Sequence, residues 1–216
     1  MSFASLLFTL GCVHFAALVA PGPDFALMLR ASTLGGRRHA FLLALGLSTA
    51  IMMHTAIVTF AASALQQVLP GIMRVLPWLA AAWLGWLGWS CLRAAWQFQP
   101  AQGEATATGD NARQLGNGWW TGFATNVLNP KAYVYFFSVI AGMLPAVSPL
   151  QFKLSLVALF FVLALGWFGF LGWALNIPRL RNWLMSHERG TLYFTGAILT
   201  VFSLLLVAQG VARWSL

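Results

Sequence analysis

Two charges sit inside apolar stretches of this chain, each beside a helix-breaking motif. Asp24 closes Pro21-Gly22-Pro23-Asp24, and Lys131 closes Asn129-Pro130-Lys131. Broken backbone and formal charge at membrane depth are tolerated only against protein or a wet cavity. The chemistry such a set suits is recognition of an amphoteric solute. An ammonium would dock on Asp24, and a carboxylate on Lys131 and the free N–H groups of a helix start.

Local physics fixes how each motif folds. Pro21 and Pro23 lack backbone donors, and Gly22 takes conformations that other residues resist. A helix should stop near Ala20 and restart near Pro23. Proline suits the first helical turn, and Asp24 in that turn partly neutralises the positive helix end. In the second motif Asn129 is a good N-cap, Pro130 fits the first helical position, and Lys131 adds full positive charge.

Two readings of the pair stay open. In one, Asp24 and Lys131 form an ion pair that only ties two spans together. In the other they share a polar site with a substrate, which the broken backbone favours, because a purely structural pair needs no unwound chain. Asn126, three residues before Asn129, shares its side of a helix and would line the cavity or cap the break. His14 and His54 lie within apolar spans and are either packing histidines or, with Asp24, candidates for proton coupling. Protonating Asp24 would weaken ammonium binding and so couple export to inward proton movement.

These residues need a scaffold, and composition says which kind. The 216 residues are 60% hydrophobic and 7% charged, too few charges to cover a soluble surface. The solvent is therefore lipid. The expected fold is an all-α membrane protein with six transmembrane helices. They run roughly over 3–29, 41–65, 75–92, 119–144, 152–175 and 192–211. The N-terminal stretch lacks a basic segment and is expected to be a retained first span rather than a signal peptide. A polar loop, 97–117, joins halves of approximately 1–96 and 118–216 in one transporter domain covering 1–216. The first helix of each half is broken by proline, and an odd number of spans per half makes the halves inverted. Matching broken helices in inverted halves point to a binding site at mid-membrane.

The basic residues set orientation. With the N-terminus outside, eight fall in inside loops (Arg30, Arg37, Arg38, Arg93, Arg113, Arg179, Arg181, Arg189). Three fall outside (Arg74, Lys153, Arg213), so both termini are expected outside. The same rule accounts for the net charge of +8 without nucleic acid. Several of the 11 tryptophans, Trp78, Trp96, Trp119, Trp120, Trp183 and Trp214, lie near span ends, where indole prefers the headgroup level. Small residues at helical spacing, Gly118 with Gly122, Ala81 with Gly85, and Gly166, Gly169 and Gly172, signal close helix packing. A homo-oligomer is compatible with this but not required by it.

Enzyme signals are missing: no HExxH, nucleophile elbow or phosphate loop occurs. Four acidic residues and two distant cysteines, Cys12 and Cys91, offer no metal-ligand set, and no cofactor is expected. Without an ATP motif, pumping would draw on a gradient, and the partners expected are a small solute, the proton and the bilayer.

At these same residues the chain resembles the LysE/RhtB superfamily of bacterial amino-acid exporters. The matching stretches are Pro21-Gly22-Pro23-Asp24-Phe25, Gly35-Gly36-Arg37-Arg38, Trp83-Leu84-Gly85-Trp86-Leu87-Gly88-Trp89 with Arg93, and Thr125-Asn126-Val127-Leu128-Asn129-Pro130-Lys131-Ala132. It is most similar to the threonine and homoserine efflux branch, through His14 and the run from Asn129 to Tyr135, Phe136, Ser138 and Val139. The resemblance implies export of small neutral amino acids across the cytoplasmic membrane by proton antiport. It also implies functional roles for Pro21, Gly22, Pro23, Asp24, Asn129, Pro130 and Lys131. Ala141-Gly142-Met143-Leu144-Pro145 departs from the common family pattern, which bears on substrate more than on fold. The competing readings are a passive channel or structural membrane protein, and an exporter of another amino acid or small metabolite.

Overall fold

The computed structural model describes residues 2–20, 23–68, 72–97, 117–129, 132, 135–145 and 148–214. Pro21, Gly22, Pro130, Lys131 and nearly all of the polar loop lie outside the described residues, so the choice between the two readings of Asp24 and Lys131 lies outside them too.

The described residues are helical, without strands. In chain order they form α1 (Phe3–Val19), α2 (Pro23–Val68), α3 (Ile72–Trp96), α4 (Gly118–Val127), a π-helical turn (Phe137–Ala141), α5 (Leu150–Ala174), α6 (Pro178–Ser186) and α7 (Glu188–Trp214). Among the described residues, three segments are long and apolar enough to cross a bilayer: Asp24–Ala61, Leu150–Ala174 and Glu188–Ala208. The 10 residues of α4 reach only about 15 Å, half of a hydrocarbon core. Large apolar side chains such as Phe8, Trp89, Val162 and Leu204 stand exposed. Lipid is the solvent that such a surface fits.

The first break falls where expected. Helix α1 ends at Val19, Ala20 turns out of the helical region, and α2 starts at Pro23 with Asp24 in its first turn. The end of the first span is corrected. It was expected at Leu29, because Arg30 reads as a boundary, but the helix passes Arg30 and bends only at Gly36. Arginine can carry its charge outward on a long stem, so it need not end a helix. Gly36 has φ 69° and ψ −173°, a conformation open essentially to glycine alone. Asp24 is thus twelve residues, or about 18 Å, from the bend rather than six residues from the end. Asn129 lies twelve residues after Asn117, the N-cap of α4, so both breaks sit equally far along their helices.

Two seams hold the bundle. At the first, α4 lies on α2 backbone to backbone. A Cβ on Gly46 would strike the Trp119 carbonyl, and one on Gly122 the Leu43 carbonyl. At the second, α3 crosses α7 through facing glycines: a Cβ on Gly88 would lie 3.0 Å from the Gly196 carbonyl, and one on Gly196 would lie 2.9 Å from that of Gly88. Ser203 Oγ donates to the Ala81 carbonyl at 2.7 Å across the same seam. Small residues permit such approaches. Gly172 also packs, against Met28 and Ala40, but Gly166 and Gly169 face open space, contrary to expectation. The third long pairing is α2 with α5, and α1 leans on α5 and α7. Trp78, expected near a span end, packs over Gly210 near the end of α7.

Helix α6 had been expected as a charged loop. Ile177 enters it in extended conformation and Pro178 opens it. None of its side chains is buried. Its arginines, Arg179 and Arg181, had suggested only an inside connection.

Candidate functional site

The second break follows from one missing hydrogen. In a continuous helix the Asn126 carbonyl would accept from residue 130, but that residue is proline. The carbonyl is released. It accepts instead from the Asn129 N–H at 3.1 Å in a tighter turn, and from His54 Nε2 at 3.4 Å, reaching across from α2. Helical structure resumes at Ala132, whose N–H donates to the Asn129 carbonyl at 3.0 Å, and soon widens into the π-helical turn. Such turns recur at functional sites.

The stripe Gly118, Gly122, Asn126 recurs every fourth residue, and all three are buried. The two glycines fix α4 on α2, and the next position delivers Asn126. Its amide Nδ2 donates to Asp24 Oδ2 at 3.4 Å. The residue after the first break therefore meets the residue before the second, 102 positions apart in sequence. The other oxygens of this pair, Asp24 Oδ1 and Asn126 Oδ1, are buried and have no hydrogen-bond partner among the described residues. Buried acceptors left open are costly unless something meets them.

Both residues line a cavity of about 370 Å³, a size usual for small-molecule sites. Its polar lining includes His14, Asp24, Ser90, Asn126, Asn129 and Tyr135. Helix α3 contributes Trp83, Trp86 and Leu87. The structure thus brings together Asp24, Asn126, Asn129 and His14 from the residues expected to act, with His54 one contact behind Asn126.

The histidines are held by aromatic rings. His14 stacks on Phe160 with centroids 3.9 Å apart and planes 8° apart, and its Nδ1 shares a hydrogen bond with the Tyr135 hydroxyl at 3.2 Å. His54 stacks on Phe136 at 5.2 Å, and Phe136 also touches His14 at 6.0 Å. A single ring separates the two imidazoles. His14 Nε2, buried, has no partner among the described residues. Tyr135, the partner of His14, also lines the cavity.

Trp83 was the residue that sequence reasoning passed over as a site. It belongs to a tryptophan-rich run, where one indole looks like another. Its Nε1 is buried and without an acceptor among the described residues, and its ring lies 4.9 Å from Trp86. Spacing does not separate it, because Trp83, Trp86 and Trp89 recur at the same three-residue interval.

The chemistry available is binding. The cavity offers open acceptors at Asp24 and Asn126, an open donor at Trp83, and apolar walls.

Comparison with known proteins agrees with this character. Residues 15–210 match the family model described as LysE type translocator. A threonine efflux protein of Salmonella typhi is 25% identical over 202 residues, covering 94% of this chain and 97% of the relative. The threonine efflux protein of Escherichia coli K12 is 24% identical over the same length, covering 94% of this chain and 97% of its own. A cysteine/O-acetylserine efflux protein of Salmonella choleraesuis is 27% identical over 158 residues, covering 73% of this chain and 74% of the relative. No solved structure matches the chain. With 196 of its 216 residues inside the family model, the chain belongs to the LysE type translocator family.

Proposed function

We propose that this protein exports small neutral amino acids of the threonine and homoserine type across the bacterial cytoplasmic membrane, in exchange for protons. The observation that carries the reading is the convergence of Asp24 and Asn126, from opposite sides of two helix breaks, on one cavity with open acceptors. An ammonium supplies N–H donors and a positive charge that match those acceptors. The carboxylate then falls to Asn129, Pro130 and Lys131, where a helix start and a lysine would neutralise it. Protonation of Asp24 would compete with ammonium binding, which makes Asp24 the coupling residue, with His14 and His54 as relays. Threonine efflux relatives that match nearly end to end support the substrate class.

The helix pairings support six spans in two inverted halves, 1–96 and 118–216, and the distribution of basic residues supports both termini outside. If the halves exchange, α2 against α5 and α3 against α7 each map onto themselves. The contact of α1 with α5 then corresponds to that of α4 with α2. The bundle would have its broken helices as symmetry mates.

A second reading keeps the mechanism and changes the solute. The relative named for cysteine and O-acetylserine efflux favours it. Efflux of preloaded labelled solutes tests both, with threonine, homoserine, serine, cysteine, O-acetylserine, leucine and lysine as the panel. Cells express wild type, Asp24→Asn or Lys131→Ala at matched membrane levels. Threonine efflux that both variants and an uncoupler abolish is the expected result. Efflux of cysteine or O-acetylserine alone would select the second reading. Downhill flux indifferent to the uncoupler would make the protein a channel, and no efflux of any panel member would overturn the proposal.

A further inference from the structure

We infer that the indole N–H of Trp83 reads an oxygen on the substrate's side chain, and so selects hydroxylated amino acids over alkyl ones of the same shape. The inference rests on the amino-acid export reading and adds the specificity element that reading lacks. Trp83 lines the cavity from α3, together with Asp24 and Asn126 from other helices. The unpartnered polar atoms differ in type. Asp24 Oδ1 and Asn126 Oδ1 only accept, Trp83 Nε1 only donates, and His14 Nε2 takes either role with its tautomer. The two acceptors fit an ammonium. The indole donor, which has no second role, needs an acceptor, and neither an ammonium nor an alkyl side chain provides one.

The surroundings decide which oxygen it meets. The residues that line the cavity from α3 besides Trp83 are Trp86, Leu87, Ser90, Cys91 and Ala94, which carry no charge. A full carboxylate in that wall would have one neutral donor and no counter-charge, which is a costly burial. A hydroxyl oxygen asks for far less. When it binds, an otherwise open indole N–H is satisfied. When an isosteric methyl takes its place, that N–H stays unpaired in the closed site. Sites that hydrogen-bond a substrate hydroxyl reject the analogue lacking it for this reason.

The test is counterflow in proteoliposomes with two isosteric pairs, threonine against valine and homoserine against norvaline. Wild type should prefer the hydroxylated member of each pair. Trp83→Phe keeps an aromatic ring and deletes only the donor. It should raise half-saturation for threonine about tenfold and leave valine unchanged, collapsing the preference. Trp89→Phe, at an exposed position on the same helix, should behave as wild type. Thermal stability of the purified variants separates misfolding from lost recognition. If Trp83→Phe weakens threonine and valine equally, the N–H serves the carboxylate or the fold, and the inference fails. If wild type carries threonine and valine equally, the inference fails while export stands. If wild type carries no amino acid, the export reading itself falls.

Discussion

The two helix breaks lie the same distance along their helices, yet they are carried in different ways. Helix α1, before the first break, rests on α5 through side chains: a Cβ on Gly11 would meet the Leu159 methyl at 3.3 Å and the Leu163 methyl at 3.8 Å. Helix α4, before the second, rests on α2 backbone to backbone at Gly46 and Gly122. A side chain can rotate away and a main chain cannot. The second break is therefore held by an unyielding seat, and the first by an adjustable one. Each also contributes a different group, a carboxylate from the first and a primary amide from the second.

The comparison breaks most severely at the seat of α4. Gly122→Leu should prevent assembly, seen as loss of the monodisperse peak in detergent gel filtration. Gly11→Ala should yield normal protein, with a stability change of about 1 kcal/mol or less by thermal melt. Transport tests the contributed groups. Asp24→Asn should lower proteoliposome transport about a hundredfold, and Asn126→Ala about tenfold, since bonds to a charge outweigh neutral ones. Equal losses would mean that the breaks are equivalent in function. Gly36→Ala, strained by conformation and not by crowding, should cost about 2 kcal/mol of stability. A smaller cost than that should come from Tyr135→Phe. It removes one hydrogen bond to His14 and should cost about 1 kcal/mol in the same melt.

The sequence was informative where the cause is local. A proline's missing donor acts on residues four positions away, so the end of α1 and the start of α2 could be read directly. Asn126 could be placed on the side of the break for the same reason. Its meeting with Asp24 could not, because it depends on how α4 seats on α2. Arg30 misled because charge was read as boundary. Helix α6 was missed because Arg179 and Arg181 looked like loop residues, whereas a short helix with no buried side chain needs no apolar run to announce it. Trp83 was hidden by abundance, and only its unpaired donor distinguishes it.

The bend at Gly36 is made by one residue. A connector that short stores no slack, so a push on the helix that carries Asp24 passes at once to the helix that carries Gly46. Those two helical segments work as the arms of a bell crank, with Gly36 as its pivot. Arm one reaches the carboxylate, and arm two reaches the seat of α4. If a solute binds Asp24 as proposed, its pull would reach the scaffold of the opposite break through this one-residue joint. An inserted flexible tripeptide at that pivot would keep both arms and disconnect them.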